Sequence, residues 1–192
     1  MRYKPGHKTE TRRRIVETAS REFRARGFES VGIAPLMDGL NLTHGGFYAH
    51  FADKEQLVSE AVVQALGESL DRMLAVLERG GVAALLDFYL GEGHCDNPAI
   101  GCPLPALSAE VARRPLASRA AFTAKLREVF DALAAHLPAS DDAQKEVKVG
   151  VLFAAMAGAV SLARASSDAE LSRAILDATR EHLRHFLGGT AE

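Results

Sequence analysis

The stretch Leu42–Phe51, reading L-T-H-G-G-F-Y-A-H-F, gathers two histidines, three aromatic rings and a threonine hydroxyl around a glycine pair. Glycine inside a helix costs about 1 kcal/mol relative to alanine, so Gly45-Gly46 is not helical filler. Such a segment makes sense where a backbone must approach another body closely and its side chains must touch it. Thr43 is a good N-cap, able to offer its hydroxyl to the free amides of a first turn. Gly45 and Gly46 leave that turn bare. Phe47 and Phe51, four apart, can face inward together while His44, Tyr48 and His50 project elsewhere. A short capped helix with a bare nose and polar and aromatic reach describes a recognition helix entering a DNA groove. The same residues also suit a core helix that carries surface histidines.

Other chemistry is poorly supplied. His94, Cys95 and Cys102 are metal-ligand types, but C-x6-C with one adjacent histidine is not a usual zinc spacing. His182 and His185, three apart near the C-terminus, suit the solvated face of a helix. No Ser/His/Asp grouping, phosphate-cradling glycine loop or paired carboxylate has a recognisable setting, so no catalytic residue, metal or cofactor is expected. An all-α enzyme and a helical ligand carrier stand behind the DNA-binding reading as alternatives of a different class.

The chain has 192 residues, enough for a small domain joined to a larger one, and its 47% hydrophobic content suffices for a packed core. No apolar run approaches the roughly 18–20 residues needed to span a bilayer, so no membrane partner is expected. The basic N-terminus is not followed by an apolar segment, and the two cysteines suit a reducing compartment; both point to the cytoplasm. The net charge of −2 divides unevenly. Residues 1–54 hold ten Lys/Arg against six Asp/Glu, or +4, which leaves −6 for residues 55–192. A basic first quarter suits a polyanion that the acidic remainder would repel.

The elements that must position Leu42–Phe51 read as helices, with no alternating β-branched stretch to suggest a sheet. The first runs from about Thr9 to Arg26, with Ile15, Ala19 and Phe23 as its buried stripe and Gly27 ending it. The run Arg12–Arg14 near its start reads as a solvated face. A short second helix covers Ile33–Gly39, with Pro35 tolerated in the first turn. Asn41 can take the left-handed conformation that the next turn needs. Asp53 caps a long fourth helix, and Gln56 completes a capping-box-like pair. Short helix, tight turn and short capped helix form a helix-turn-helix.

Residues from about Thr9 to Leu57 resemble the DNA-binding region of the tetracycline-repressor (TetR) family. The resemblance rests on A19-S20-R21-E22-F23, R26-G27-F28-E29-S30-V31, L40-N41-L42-T43-H44-G45-G46-F47-Y48-A49-H50-F51 and D53-K54-E55-Q56-L57. Gly32, Pro35 and Asn41 depart from the family pattern around the second helix. The resemblance implies an all-α fold, with a three-helix DNA-binding domain at 1–54 and an effector-binding and dimerisation bundle at 55–192. It implies that Thr43, His44, Gly45, Gly46, Tyr48 and His50 lie at or beside the DNA, and that Lys54 meets a phosphate at a helix N-terminus. It also implies a homodimeric regulator of a palindromic double-stranded operator, a repressor relieved by an unidentified small molecule.

Beyond the fourth helix, which ends near Arg79 at Gly80-Gly81, a fifth covers about Val82–Leu90 and an irregular segment spans 91–103. A sixth helix covers about Leu104–Arg113, a seventh ends at Pro138, and the last two span about Asp141–Ala165 and Asp168–Leu187. The eighth is apolar nearly all round and rich in Gly and Ala, so it must be covered on several faces. It reads either as the centre of a monomeric bundle or, by the resemblance, as part of a dimer interface through Gly150, Ala154, Gly158, Leu162, Leu176 and Leu183. An apolar effector pocket is expected from Leu85, Phe88, Tyr89, Cys102, Phe122, Leu126, Phe130, Phe153 and Met156, although the same residues suit plain core. Cys102 opens the sixth helix, where the helix dipole can favour a thiolate, so sensing of electrophiles or oxidants through it is a second expectation beside simple packing.

Overall fold

The computed structural model describes residues 7–137 and 141–188, and among these it is helical with no strands. The basic segment at residues 1–6 and the helix stop at Pro138 lie outside the described residues. In chain order the helices are α1 (His7–Arg26), α2 (Ile33–Gly39), α3 (His44–Phe47), α4 (Lys54–Tyr89), α5 (Glu92–Cys95), α6 (Pro103–Val111), α7 (Leu116–Ala134), α8 (Asp142–Ala165) and α9 (Ala169–Gly188). The expected break after Arg79 occurs at Gly81, whose φ of 66° and ψ of −162° suit only glycine. The segment expected to be irregular from 91 to 103 contains the single turn α5.

The apolar residues form two cores. One is built by Ile15, Ala19 and Phe23 of α1 with Phe28, Met37, Phe47, Phe51 and the first turns of α4, from Leu57 to Val62. The other joins the rest of α4 to α7, α8 and α9 through residues such as Met73, Leu85, Tyr89, Val129, Phe153 and Met156. The division at residue 54 therefore falls inside α4's first contacts with the N-terminal core. Helix α6 also crosses the division, because its Leu107 and Val111 are buried in the N-terminal core while Leu104 belongs to the other.

Polar contacts fasten α6 and the segment before it to α1 and the turn after α1. At the C-terminal end of α6, the Glu110 carboxylate accepts the Phe28 N–H at 2.8 Å. Gly27, at φ 79°, makes room for it, since a Cβ there would stand 2.7 Å from Glu110 Oε1. At its N-terminal end, the wholly buried side chain of Arg24 donates to the Gly101 carbonyl at 2.9 Å and to Glu68 of α4 at 2.7 Å. It also donates back to the carbonyl and hydroxyl of Ser20. The segment that carries Gly101 is folded around His94. Nε2 of that ring accepts the Cys102 N–H at 2.9 Å, which leaves Nδ1 to carry the proton and donate to the Tyr89 carbonyl at 2.6 Å. Arg164 of α8 closes the knot by donating to the His94 and Cys95 carbonyls.

Helix α8 departs from two expectations. Its composition gives an 18-residue window with mean hydropathy 1.6, so it is long and apolar enough to cross a membrane. It is also not covered all round. Val149, Leu152, Phe153, Met156 and Val160 point into the core, whereas Val147, Val151 and Leu162 are 64%, 43% and 61% exposed. Ala154 and Gly158 lie on the same open face, and a Cβ added at Gly150 or Gly158 would meet nothing. Leu176 and Leu183 of α9, expected at an interface, are instead buried in the chain's own core, because α9 turns its apolar stripe toward α4 and α8.

Burial holds the His94 pKa down at about 4, against an ordinary 6.5. The imidazole is therefore neutral when folded, and the unfolded chain takes up its proton first as the pH falls. The stability this provides is complete above pH 6.5 and is lost as the pH drops toward 4, a difference on the order of 3 kcal/mol. His94→Gln is expected to lower the urea midpoint at pH 7.5, with the gap from wild type narrowing steadily as the pH is brought to 4.5. Parallel pH profiles for the two proteins would mean that His94 does not supply this dependence.

Candidate nucleic-acid interface

The turn from α2 to α3 is set by backbone hydrogen bonds. The amides of Leu40 and Leu42 both donate to the Met37 carbonyl at 3.0 Å, and Asn41 sits between them at φ 56°. Asparagine tolerates that left-handed conformation better than most residues, so glycine is not required there. Helix α2 starts without a side-chain cap at Gly32, and Pro35 occupies its first turn as expected. Leu36 and Met37 anchor it in the core.

Helix α3 is a single turn whose orientation comes from two buried rings. Phe47 and Phe51 are stacked with centroids 5.2 Å apart, both almost wholly buried. Thr43 Oγ1 accepts the Gly46 N–H at 3.2 Å and so caps the turn. The two glycines then play different parts. A Cβ on Gly46 would stand 3.2 Å from Thr43 Oγ1 and crowd the cap, whereas one on Gly45 would meet nothing within 4 Å. Gly45 is an opening toward the outside, and Gly46 borders the cap of the turn.

Around that opening stand the exposed Thr43 and His44 and the Tyr48 ring, 59% exposed, with His44 and Tyr48 edge to face at 5.9 Å. Tyr48 also packs edge-on against Phe47, so a buried ring steadies the exposed one. Lys54 begins α4 and is partly exposed. Asp53 caps α4 by accepting the Gln56 N–H at 2.8 Å, and the Gln56 side chain accepts the Ala52 N–H. His50 is placed differently from the others. It is partly buried, its Nδ1 is shielded without a hydrogen-bond partner, and burial, with Lys8, Arg12 and His7 nearby, lowers its pKa.

The arginine run is not simply a solvated face. Arg13 pairs with Glu10 and Glu17 along α1, but Arg12 reaches across to α4. Its guanidinium pairs with Glu60, lies 4.6 Å from the Phe51 ring centroid, and approaches the His50 carbonyl through Nε. Arg12 thus holds the chain that leaves α3. A readable signal was the i, i+4 row Val16, Ser20, Arg24 beside the core stripe of α1, which puts Arg24 on a buried edge.

The residues expected to line one apolar pocket divide. Leu85, Tyr89, Cys102, Phe153 and Met156 are buried core, Phe122, Leu126 and Phe130 are partly buried against it, and Phe88 faces a separate surface cavity. Cys102 is 2% exposed, and burial pushes its thiol up. That is opposite to the accessible thiolate expected from its place at a helix N-terminus, because desolvation outweighs the dipole of a nine-residue helix.

The capping geometry separates three substitutions by urea denaturation. Thr43→Val removes the acceptor and is expected to cost about 1 kcal/mol. Gly46→Ala should also destabilise by crowding the cap. Gly45→Ala should leave stability unchanged or raise it, and a loss comparable to that of Gly46→Ala would contradict the open setting of Gly45.

Residues 15–61 match the profile of bacterial regulatory proteins of the tetR family. Over 69 residues the chain is 32% identical to the HTH-type transcriptional regulator YerO of Bacillus subtilis and 35% identical to the HTH-type transcriptional regulator TtgR of Pseudomonas putida. Each match covers 36% of this chain, and they cover 24% and 32% of those proteins. Over nearly its whole length the chain is similar to a TetR-family transcriptional regulator from Cytophaga hutchinsonii, with a TM-score of 0.79, 20% identity and coverage of 97% and 98% of the two chains. It is also similar to the reduced form of NemR from E. coli, with a TM-score of 0.72 and 22% identity over 92% of this chain and 96% of that one. A third such structure, a regulator from Saccharomonospora viridis in complex with choline, has a TM-score of 0.68 and 21% identity over 95% and 97% of the two chains. Residues 15–61 thus carry a helix-turn-helix domain that matches the tetR family of bacterial regulatory proteins, and the fold of nearly the whole chain is similar to that of a solved TetR-family regulator.

Proposed function

We propose that the chain is a cytoplasmic transcriptional repressor that binds a palindromic operator as a homodimer and leaves it when a small molecule occupies the C-terminal bundle. The observation that carries this reading is the exposed set Thr43, His44 and Tyr48 around the bare Gly45, fixed from behind by buried Phe47 and Phe51. Rings that firmly seated leave α3 rigid enough to enter a major groove. Tyr48 and Lys54 meet phosphates, while His44 and Thr43 reach base edges. With two glycines in the turn, few side chains read bases, so DNA shape contributes to the choice of site.

The open face of α8 supports the dimer. Val147, Val151, Ala154, Gly158 and Leu162 recur at helical spacing on one exposed side, and Gly150 borders it. Small residues there let a second copy come close, and a two-fold pairing sets two recognition helices roughly 34 Å apart, one DNA turn. Relief by a ligand follows from linkage. An effector that binds better to a bundle with altered α6 shifts the population away from the DNA-competent spacing, because α6 and the segment before it are fastened to α1 and the turn after α1. The choline bound to the similarly folded Saccharomonospora viridis regulator supports a small-molecule effector.

Binding to the DNA upstream of its own gene is expected to exceed binding to random duplex and to weaken steeply with salt. Lys54→Ala should weaken binding to all duplexes alike and reduce the salt slope by about 1 per subunit, whereas His44→Ala should mainly relax choice among sequences. Equal affinity for upstream and random DNA at low salt would overturn the reading.

Gly158→Leu tests the assembly. Its side chain has free space in the single chain and better helix propensity than glycine, so the variant should fold at least as stably. On this reading it is monomeric by light scattering and loses operator binding. A dimeric Gly158→Leu protein with normal operator affinity would remove this face from the interface.

A further inference from the structure

A cavity of about 330 Å³ opens between the first part of α4, the end of α4 and the segment that follows it. Its walls include the Phe88 ring, 36% exposed, and Ile100, 54% exposed. The His94 ring lies 6.0 Å from Phe88 by centroid. Both His94 nitrogens are committed, to the Tyr89 carbonyl and the Cys102 amide, so the ring offers the cavity only carbon. The cavity is thus mainly apolar and lies at the small end of ligand-binding volumes.

One wall is cationic. Arg72 lines the cavity, and its Nη2 is fully shielded from solvent without a hydrogen-bond partner. Among the described residues, no carboxylate pairs with it. Glu68, one turn earlier on the helix, is already held by Arg24 through Oε2 and by Gln64 through Oε1. Asp87, the acidic residue on the cavity wall, is paired with Arg180 and Arg184 of α9. Arg72 therefore has no carboxylate partner of its own among the described residues, and its positive charge stands beside an apolar space. A guanidinium without a carboxylate partner beside an apolar space favours an anionic occupant, because hydrogen bonds to a charged donor are the stronger ones.

We infer that this cavity binds a small apolar carboxylate, aromatic or short-chain aliphatic, with its carboxylate on Arg72 and its hydrocarbon against Phe88 and Ile100. A monoanion matches the single charge of the Arg72 guanidinium. A phosphate would bring a second charge that nothing on the wall answers. This site goes beyond the regulatory reading and stands whether or not the chain binds DNA. Gly101, on the wall, is the residue whose carbonyl receives Arg24 of α1, so an occupant touches the segment that joins the two cores.

The test is calorimetric titration of the full chain with benzoate and hexanoate, and with benzamide and benzylamine as neutral and cationic counterparts of the same bulk. Saturable binding of the acids is expected, with the amide and amine at least roughly tenfold weaker. Arg72→Met keeps the apolar bulk and should weaken the acids at least roughly tenfold, while Arg72→Lys should retain part of the affinity. Ile100→Asp, at an exposed position that cannot disturb folding greatly, should weaken the acids by adding a like charge to the wall. Circular dichroism confirms that each variant is folded. Acid binding that is unchanged in both Arg72→Met and Ile100→Asp, equal affinity for benzoate and benzamide, or no saturable acid binding at all would each overturn the inference.

Discussion

The junction between the two cores is organised around one buried cation. Arg24 has no exposed side-chain surface, and a guanidinium out of water is tolerable only when its charge and its N–H groups are all answered. Glu68 answers the charge, and Ser20 and the Gly101 carbonyl answer the N–H groups. Those partners lie on α1, on α4 and on the segment before α6, so satisfying one side chain fixes three parts of the chain together. The segment carrying Gly101 can present its carbonyl only because His94 and Arg164 fold it from the other side. The junction is therefore a continuous hydrogen-bonded structure, and the apolar contacts of Leu107 and Val111 fill in around it.

Much of the helical order was legible because each signal was local. Gly27, Asn41, Thr43 and Asp53 stand where their backbone or capping chemistry requires them, and the structure uses each accordingly. The inward pair Phe47 and Phe51 and the outward Tyr48 follow from helical spacing alone. What could not be read was non-local. Arg12 looked like one of three solvated arginines, and nothing near it in sequence announces Glu60, 48 positions away. Cys102 suited either a packed thiol or a thiolate at a helix N-terminus, and burial by distant residues decides between them. His50 shares its type and neighbourhood with His44, and only the approach of α1 turns it inward.

Composition misled most at α8. An apolar sequence all round implies burial on every face when one chain is considered, yet this helix buries one side and leaves Val147, Val151 and Leu162 in the open. The same composition also satisfies the length and hydropathy of a membrane span. Hydropathy reports how much apolar surface must be hidden, not what hides it. On α9 the reverse holds, because Leu176 and Leu183 looked like surface complementary to another copy and are consumed by the chain's own core.

The unlike settings of Gly45 and Gly46 bear on how such a protein can change its preference for a binding site. At Gly46 a side chain begins 3.2 Å from Thr43 Oγ1, so any replacement must be accommodated by the cap. At Gly45 the space is empty, and a new side chain would project from the turn without touching the rest of the molecule. Position 45 is thus a place where replacements can be sampled one after another, each altering the outward surface while the scaffold stays intact. Two adjacent, chemically identical residues therefore differ in evolvability: one borders the cap and the other is open to divergence.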